Sequence, residues 1–483
     1  MEWISQRKQL LDADLAEFRF NPGGPCLIQT IWLRRDVFGK VHIMDDEIHN
    51  SEQEYVEWLN KLPSCSQEES VVLVLHQRLE ARDTRATSLP YREETFRQAF
   101  EKLYQHRSVA HAIRRKSTAV FTCRAVAPWK SQPEWGPAVV YNCKSDTESL
   151  AACDDIVLSE THFPKKSMLY AVVYGCTQEA REFISGFFKF AKASAFNPLL
   201  LPVMFAELER RRLLNKLDTK GGDLRKRIID MENRLRHDGP RKSAQSSDSE
   251  KEKDSSNRNI TQRECEAVNL WVEVSSLKNG LESLKTELSS MLESSQKPLE
   301  NQVTDQDPLD DGGFPERKIQ QKLVFDNIQG RLHDMIVEID SITRRTQSLL
   351  QGMSLATQTE SNYLTRKDAW ATISIAVESK KDSSHMRYIS FLGMIFLPGT
   401  FFATLFSMGF FNWQPDGSDQ MISPWVVVYF GITILTTIAT VWRFREWAKK
   451  QDLDATHVYA ELDNESGPVS FKPVPALVGP QAV

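Results

Sequence analysis

The chain has 483 residues, and its 65 acidic and 60 basic side chains give a formal net charge of −5 at pH 7. This near-balance argues against a protein that holds nucleic-acid phosphates, because such proteins carry a clustered surplus of Lys and Arg. With 21 glycines and 21 prolines the chain is neither collagen-like nor wholly disordered, and its length predicts several domains.

Short apolar runs alternate with helical patterns over residues 1–195. An alternation of this kind predicts an α/β layered domain. The predicted strands span residues 26–33, 71–76, 119–126, 138–143 and 168–176, and the predicted helices between them include 91–116 and 178–193.

The cysteines and the N-terminal sequence both indicate that this domain is cytosolic. The seven cysteines are scattered and form no CxxC pair, so we expect reduced thiols rather than a disulfide framework or a zinc ribbon. The first residues alternate charged and apolar side chains and lack the apolar core of a secretory signal.

The sequence contains none of the common catalytic motifs. The patterns HExxH, GxSxG and GxxxxGKS/T do not occur, and no GxGxxG follows a predicted strand. His106 and His111 are five residues apart on the predicted helix 91–116, so they would point in different directions and are not expected to share a metal ion. We therefore do not expect an enzyme.

A helical pattern follows the α/β domain over residues 196–237. Residues 238–259 are rich in Ser and charge without apolar periodicity, which predicts a disordered linker. A second helix is predicted over residues 260–297 and an acidic loop over 298–315. The apolar positions of this second helix recur every three or four residues: Val268, Val272, Leu277, Leu281, Leu284, Leu288 and Leu292.

Residues 316–387 predict a long stalk helix. No proline interrupts the chain between Glu316 and Pro398, so a single helix could continue into the apolar segment that follows. A break near Gly352 or at Ser383-Ser384 would instead divide it into two helices. Its apolar side chains recur close to every 3.5 residues, which is typical of a coiled coil: Leu332, Met335, Ile339, Ile342, Leu349 and Met353.

Two uncharged apolar stretches, residues 388–408 and 424–442, are each long enough to cross the hydrocarbon core of a bilayer as a helix. Lys and Arg precede the first stretch and follow the second, while the connecting loop 409–423 has neither. Because positively charged flanks stay in the cytosol, we predict a multi-pass membrane protein with both termini cytosolic. The loop would face outward, and residues 443–483 would form a basic cytosolic tail.

The first predicted membrane helix has two unlike faces. One face carries the bulky side chains Phe391, Ile395, Phe402 and Phe406. Small residues allow helices to pack closely, whereas hydroxyl and backbone oxygens can line an ion path, and the pattern alone leaves both interpretations open for the opposite arc. We call this arc the polar stripe: Met386, Ser390, Gly393, Leu397, Thr400, Thr404 and Ser407.

Three aspartates flank this helix at positions where carboxylates would attract cations. Asp382 extends the polar stripe one turn before the span, and Asp416 and Asp419 lie in the predicted outer loop. A ring of such carboxylates from several copies would raise the local cation concentration. The alternative interpretations are a solvated stalk residue and a polar turn.

The sequence IFLPGTF at residues 395–401, followed by FSMGF at 406–410, resembles the CorA-type magnesium-channel superfamily. In that family an apolar-Pro-x-Thr-Phe stretch precedes a Tyr-Gly-Met-Asn signature, and residues 380–413 are similar to CorA-like proteins of filamentous fungi in particular. The resemblance implies a homopentamer whose stalk helices continue into a pore lined by the first spans. Thr400 matches the family's pore threonine, and Met386, Gly393 and Leu397 fall at other pore-lining positions.

The end of the first span departs from the family signature. Phe406, Ser407, Met408 and Gly409 stand where the family has Tyr-Gly-Met-Asn, so only the methionine is kept. In the family the asparagine holds the hydrated ion at the outer mouth of the pore, and a glycine has no amide side chain. The candidate substitutes here are Ser407, the carbonyls near Gly409, and Asn412.

The polar stripe and the resemblance together predict an oligomeric CorA-like transporter or channel for divalent cations such as Mg²⁺. We expect no cofactor and no tightly bound metal ion. The expected partners are the lipid bilayer, the transported divalent cation and further copies of the chain, with no nucleic acid. The alternative is a non-conducting oligomeric membrane scaffold or regulatory protein that has the same fold.

Overall fold

The computed structural model describes residues 8–23, 26–36, 38–62, 69–78, 86–149, 155–237, 250–304, 315–408 and 424–465. The chain divides into two compact units, Met1–Ser361 and Asn362–Val483. A sheet with covering helices is followed by long helices and by two apolar C-terminal helices. This arrangement confirms the predicted fold class, an α/β layered domain followed by long helices and an apolar helix pair.

The first unit is built around a mixed sheet. Its described strands are β1 (Arg19–Phe20), β2 (Ile28–Arg35), β3 (Val41–His49), β4 (Ser70–Gln77), β5 (Ser88–Leu89), β6 (Val120–Val126), β7 (Ala138–Lys144), β8 (Val157–Phe163) and β9 (Met168–Cys176). Seven of these form one sheet in the order β3-β2-β4-β9-β8-β7-β6. Strands β4 and β9 pair in parallel, and the other neighbours pair antiparallel. Strands β1 and β5 form a separate parallel pair.

All five predicted strands are confirmed, with bounds that shift by at most two residues, but the sequence interpretation missed β3 and β8. The edge strand β3 has exposed residues on both faces and carries Asp45 and Asp46 at its centre, so no apolar alternation marks it. Strand β8 is buried along nearly its whole length. It nevertheless contains Ser159, Glu160 and Thr161, and their polarity concealed a central strand.

Four short helices cover one face of the sheet: α1 (Asp12–Leu15), α2 (Glu52–Lys61), α3 (Glu93–Lys102) and α4 (Ser108–Arg114). The core on this side is rich in aromatic side chains, including the fully buried Tyr55, Phe96 and Tyr174. The rings of Phe96 and Tyr174 lie 6.3 Å apart between their centroids, which joins a helix to the sheet.

The single helix predicted over residues 91–116 is wrong, because α3 ends at Lys102 and α4 starts only at Ser108. Tyr104, between them, has a positive φ of 48°. Its ring packs 4.9 Å from that of Tyr170 and 5.1 Å from that of Trp135. This aromatic packing holds the chain against the sheet at a point where a continuous helix would carry it away.

The opposite face of the sheet is covered by longer helices: α5 (Gln178–Ala191), α6 (Leu200–His237), α7 (Glu250–Thr304) and α8 (Pro315–Phe406). One continuous core joins the sheet to these helices. Leu73 of β4, Leu213 of α6, Leu281 of α7 and Leu332 of α8 all belong to it and are fully buried. The sheet and the helical segments up to residue 361 therefore pack as one unit.

Helix α7 is longer than predicted. It begins at Glu250, inside the predicted linker 238–259, and ends at Thr304, inside the predicted acidic loop 298–315. The Lys and Glu residues after position 250 are strong helix formers, so this segment is helical without apolar periodicity. Val268 and Val272, predicted on the apolar face, are exposed, and Val274 is buried instead.

The two edges of the sheet are protected in different ways. At the β6 edge, Glu287 of α7 accepts a hydrogen bond from the backbone N–H of Phe121 at 2.9 Å. At the other edge, β3 carries the acidic residues Asp45, Asp46 and Glu47. An unpaired strand edge is a template for another chain unless it is covered or charged, and this sheet uses both devices.

Helix α8 is a single helix of 92 residues, so the alternative of two helices broken near Gly352 or at Ser383-Ser384 is wrong. In the first unit, Leu332, Met335 and Ile339 of the predicted apolar repeat are fully buried in the core shared with α6 and α7. This part of the repeat therefore packs within the chain.

The second unit contains the end of α8 and helix α9 (Pro424–Glu465). Helix α9 continues beyond the predicted end of the second membrane span at residue 442, into the segment predicted as a basic tail.

Candidate functional site in the membrane helices

Two segments of the described chain are long and apolar enough to cross a membrane. They are Ile389–Phe406 of α8, with a mean hydropathy of 1.9, and Val426–Glu446 of α9, with a mean hydropathy of 1.6. Almost no residue of either segment is buried, which distinguishes both from the core helix of a soluble domain. The chain is accordingly a membrane protein, and both segments agree closely with the predicted spans.

The bulky face of the first membrane helix packs on the second. The rings of Phe391 and Phe444 lie 6.4 Å apart, and those of Phe406 and Tyr429 lie 5.6 Å apart. Phe406 is the one member of this face that is fully buried among the described residues of the two spans. Phe391, Phe402 and Phe406 of the predicted bulky face are at least partly buried, whereas Ile395 of the same face is exposed.

The two helices also approach each other closely at a glycine. A Cβ atom added to Gly399 would lie 4.0 Å from Cγ2 of Thr433, which is ordinary van der Waals contact. Gly399 follows Pro398, and the helix continues through this proline. Because proline has no N–H, the carbonyl of Met394 has no i+4 backbone donor, which favours a local bend.

The sequence interpretation did not identify the partner face on α9. The half-buried positions that carry it are Val426, Tyr429, Thr433, Thr436, Thr437, Val441 and Phe444. Most of them are three or four residues apart, which follows the helical repeat. The signal was therefore present in the sequence, but the surrounding apolar residues obscured it.

The polar stripe is exposed in the single chain, as are the apolar side chains Leu392, Phe396 and Phe401 of the same helix. Ser390, Gly393, Thr400 and Thr404 are all exposed, and nothing lies within 4 Å of a Cβ added to Gly393. The two long side chains of the stripe, Met386 and Leu397, are 68% and 72% exposed, which shows that neither folds back onto α9. Ser407 is exposed in the turn that follows the helix.

The threonine hydroxyls of the stripe already use their hydrogen atoms within the helix. Oγ1 of Thr400 donates to the carbonyl of Leu397 at 3.0 Å, and Oγ1 of Thr404 donates to the carbonyl of Phe401 at 2.8 Å. A hydroxyl has one donor and two acceptor lone pairs. Both hydroxyls therefore present acceptor oxygen to the open side, which is the polarity that a hydrated cation requires, because its water molecules donate hydrogen bonds outward.

Several predicted site residues lie outside the described part of the chain. Gly409, Asn412, Asp416 and Asp419 belong to the segment 409–423, and the side chain of Asp382 on α8 is likewise not described. Met408 is described and exposed. No group of three or more His, Cys, Asp or Glu side chains within the described residues is arranged to hold a metal ion.

No protein-family model matches the sequence, and no curated protein matches it. Among solved structures, the CorA magnesium transporter from Methanocaldococcus jannaschii is 8% identical, with 86% of this chain and 97% of that chain covered and a TM-score of 0.34. The full-length CmaX protein is 10% identical, with 87% of this chain and 98% of that chain covered and a TM-score of 0.32. Scores this low do not define the fold or the function of the present chain.

Proposed function

We propose that several copies of this chain form a CorA-like pathway for divalent cations across the membrane, lined by the polar stripe of α8. The observation that carries the proposal is the open state of that stripe. In the single chain Phe391 and Phe406 of the bulky face pack on α9, while the side with the hydroxyl groups is exposed. A membrane helix turns such a side toward other helices or toward water rather than toward lipid.

The chemistry of the stripe suits a hydrated divalent cation. Mg²⁺ loses its water molecules reluctantly and is usually bound through several of them. A ring of Thr400 oxygens from five copies would accept hydrogen bonds from those waters without replacing them. The membrane potential contributes about 2.3 kcal/mol per charge per 100 mV, so a divalent ion could enter down its gradient without ATP.

The proposed orientation places both termini in the cytosol. Lys380, Lys381 and Arg387 precede the first span, and Arg443 and Arg445 lie at the end of the second. Positively charged flanks of this kind remain on the cytosolic side. The loop 409–423, which has no Lys or Arg, then faces outward, and its aspartates Asp416 and Asp419 would attract cations to the mouth.

The test is uptake of divalent ions by proteoliposomes that contain the full chain. We expect uptake of Mg²⁺ or a related ion, and we expect Thr400→Leu to slow it by about tenfold or more, or about 1.4 kcal/mol in the barrier. The matched control is Thr440→Leu on α9, because Thr440 is also exposed and also donates its hydroxyl to the helix, at 2.9 Å from the carbonyl of Thr436. Equal losses in both variants would refute the assignment of the stripe as the lining.

A second candidate function, a non-conducting oligomeric scaffold, is favoured by one sequence feature. Gly409 stands where the resembled family has an asparagine, so the outer mouth lacks the amide that would hold a hydrated ion. An oligomer that carries no divalent ion above the level of empty liposomes, for any ion tested, would reject transport and support the scaffold.

A further inference from the structure

The first unit has a cleft at the β6 end of the sheet, on the face that carries α4. Its volume is about 840 Å³, which lies in the range of small-molecule sites. Helix α4 lies over β7 and β8 and leaves the cleft beside β6 open. Its most informative side chains come from α4, from the residues on either side of this helix, and from the strands β6 and β7: His106, Ser108, Arg115, Thr122, Arg124 and Asn142.

Every charged group among the described residues that line this basic cleft is cationic. Arg107 and Lys144 form its inner wall and are held by acids behind it. Nη2 of Arg107 lies 3.0 Å from Asp14, and Nζ of Lys144 lies 3.5 Å from Asp155. At the mouth, Arg115 and Arg124 are exposed to solvent. On the helical side, the charge of Glu287 of α7 interacts with Arg115.

His106 is neutral in the basic cleft. Burial, followed by the positive charges of Arg124, Lys8, Arg107 and His111, lowers the pKa of this imidazole to about 4. Its Nδ1 accepts a hydrogen bond from the backbone N–H of Ser108 at 3.1 Å, so the ring proton is on Nε2. Burial is the largest cause of this shift, and the neighbouring positive charges add to it.

Asn142 supplies the second, independent sign of a ligand. Its side chain is 3% exposed and lines the basic cleft. Nδ2 donates to Oγ of Ser108 at 2.8 Å, but Oδ1 has no hydrogen-bond partner within the described residues. A buried acceptor without a donor costs free energy that a bound hydroxyl or amino group would recover.

We propose that the basic cleft binds a small phosphorylated metabolite, with its phosphate at Arg115 and Arg124 and a hydroxyl or amino group donating to Oδ1 of Asn142. The pairing of β6 with β7 supports this placement of the phosphate and the hydroxyl or amino group. Thr122 pairs with Asn142, and Arg124 lies two residues further along the same face of β6. Asn142 and Arg124 are diagonal neighbours on adjacent strands, about 7–8 Å apart, and this distance suits a sugar between a phosphate and its recognised hydroxyl. Sugar phosphates and nucleotides share this chemistry.

The predicted helix 91–116 would carry His106 and His111 on different faces. The break at Tyr104 instead leaves His106 in the connection before α4 and His111 within α4, so both line the basic cleft. The inference does not depend on ion transport, because ligand binding to the first unit is measured without any ion flux.

The test is isothermal titration of the full chain in detergent with ribose 5-phosphate and with AMP, and with ribose and adenosine as uncharged controls. We expect saturable binding of at least one phosphorylated probe with a Kd below about 1 mM. Which of the two binds more tightly distinguishes a sugar phosphate from a nucleotide. Inorganic phosphate should bind more weakly than the tighter probe, because it carries no sugar hydroxyl or amino group for Asn142.

Two variants test the assigned contacts. Arg124→Glu, at an exposed position, should weaken binding at least tenfold, about 1.4 kcal/mol, without lowering the thermal midpoint. Asn142→Asp keeps the shape but adds a negative charge and should weaken binding similarly. Lys166→Glu, an exposed change elsewhere on the unit, should leave the Kd unchanged. The proposal is overturned if neither phosphorylated probe binds, if adenosine or ribose binds as tightly as its phosphate, or if Arg124→Glu binds like the unaltered chain.

Discussion

Glu207 of α6 is the centre of an ion-pair network that joins two long helices. Its carboxylate accepts hydrogen bonds from Arg210 at 2.6 Å and from Arg331 of α8 at 2.7 Å. Arg210 extends the network to Glu338 of α8 at 2.8 Å. The Glu207 side chain is 13% exposed, so solvent screens these contacts only in part. We predict that Glu207→Gln destabilises the first unit in a pH-dependent way.

The magnitude follows from the pKa of Glu207. Burial raises this pKa, but the hydrogen bonds and charges of Arg210 and Arg331 outweigh burial and lower it from 4.5 to about 2. A shift of this size corresponds to about 3 kcal/mol of stability as an upper estimate. Because the folded pKa is depressed, this stability is present above pH 4.5 and is lost as the pH falls toward 2.

The assay is the denaturation midpoint of the full chain in detergent between neutral pH and pH 3. Glu207→Gln should lower the midpoint at neutral pH by the equivalent of about 2–3 kcal/mol and should flatten its decline below pH 4.5. Glu338→Gln is the matched control, because Glu338 is 41% exposed and contacts only Arg210 in the network; it should cost less than about 1 kcal/mol. Equal effects of the two variants, or an unchanged acid limb in Glu207→Gln, would refute the reasoning.

Two further predictions concern packing and backbone conformation, and each is read from the same denaturation midpoint. Leu332→Ala in the shared core should cost about 2–5 kcal/mol, whereas Leu323→Ala, at a position that is 59% exposed on the same helix, should be nearly neutral; similar costs would contradict the assigned core. Gly175→Ala should destabilise by more than about 1 kcal/mol, because Gly175 has a φ of 77° and an added Cβ would meet the carbonyl oxygen of Asp155 at 2.6 Å. Gly186→Ala, in α5 with nothing within 4 Å, should stabilise by about 0.5–1 kcal/mol, and a loss there would contradict the helical assignment.

The sequence was sufficient to predict those elements whose buried positions are occupied by apolar residues. The membrane spans and the strands β4 and β9 were identified because most of their side chains are apolar. Strand β8 was missed because Glu160 lies fully buried at its centre. A glutamate is rarely fully buried in a protein core, so its presence did not indicate a central strand. Burial raises the pKa of Glu160 well above its ordinary value.

The two candidate sites also differ in how far the sequence predicts them. The two faces of the first membrane helix followed from helical periodicity, since the aromatic side packs on α9 and the polar stripe is open. The basic cleft could not be predicted, because it depends on a tertiary contact, the packing of Tyr104 on Tyr170 and Trp135, that breaks an otherwise regular helical pattern. Local sequence does not encode a contact between residues 66 positions apart.

The hydrogen bond from Phe121 to Glu287 forms only while α7 lies beside the edge strand β6. A displacement of that helix would withdraw the carboxylate and leave the N–H groups of β6 without cover, so they would become available to a strand from a neighbouring molecule. The position of α7 therefore determines whether this edge of the sheet is covered or can pair with another strand. In a protein whose copies are proposed to associate, an unprotected edge would allow chains to pair in the wrong register, and the half-buried Glu287 covers this edge.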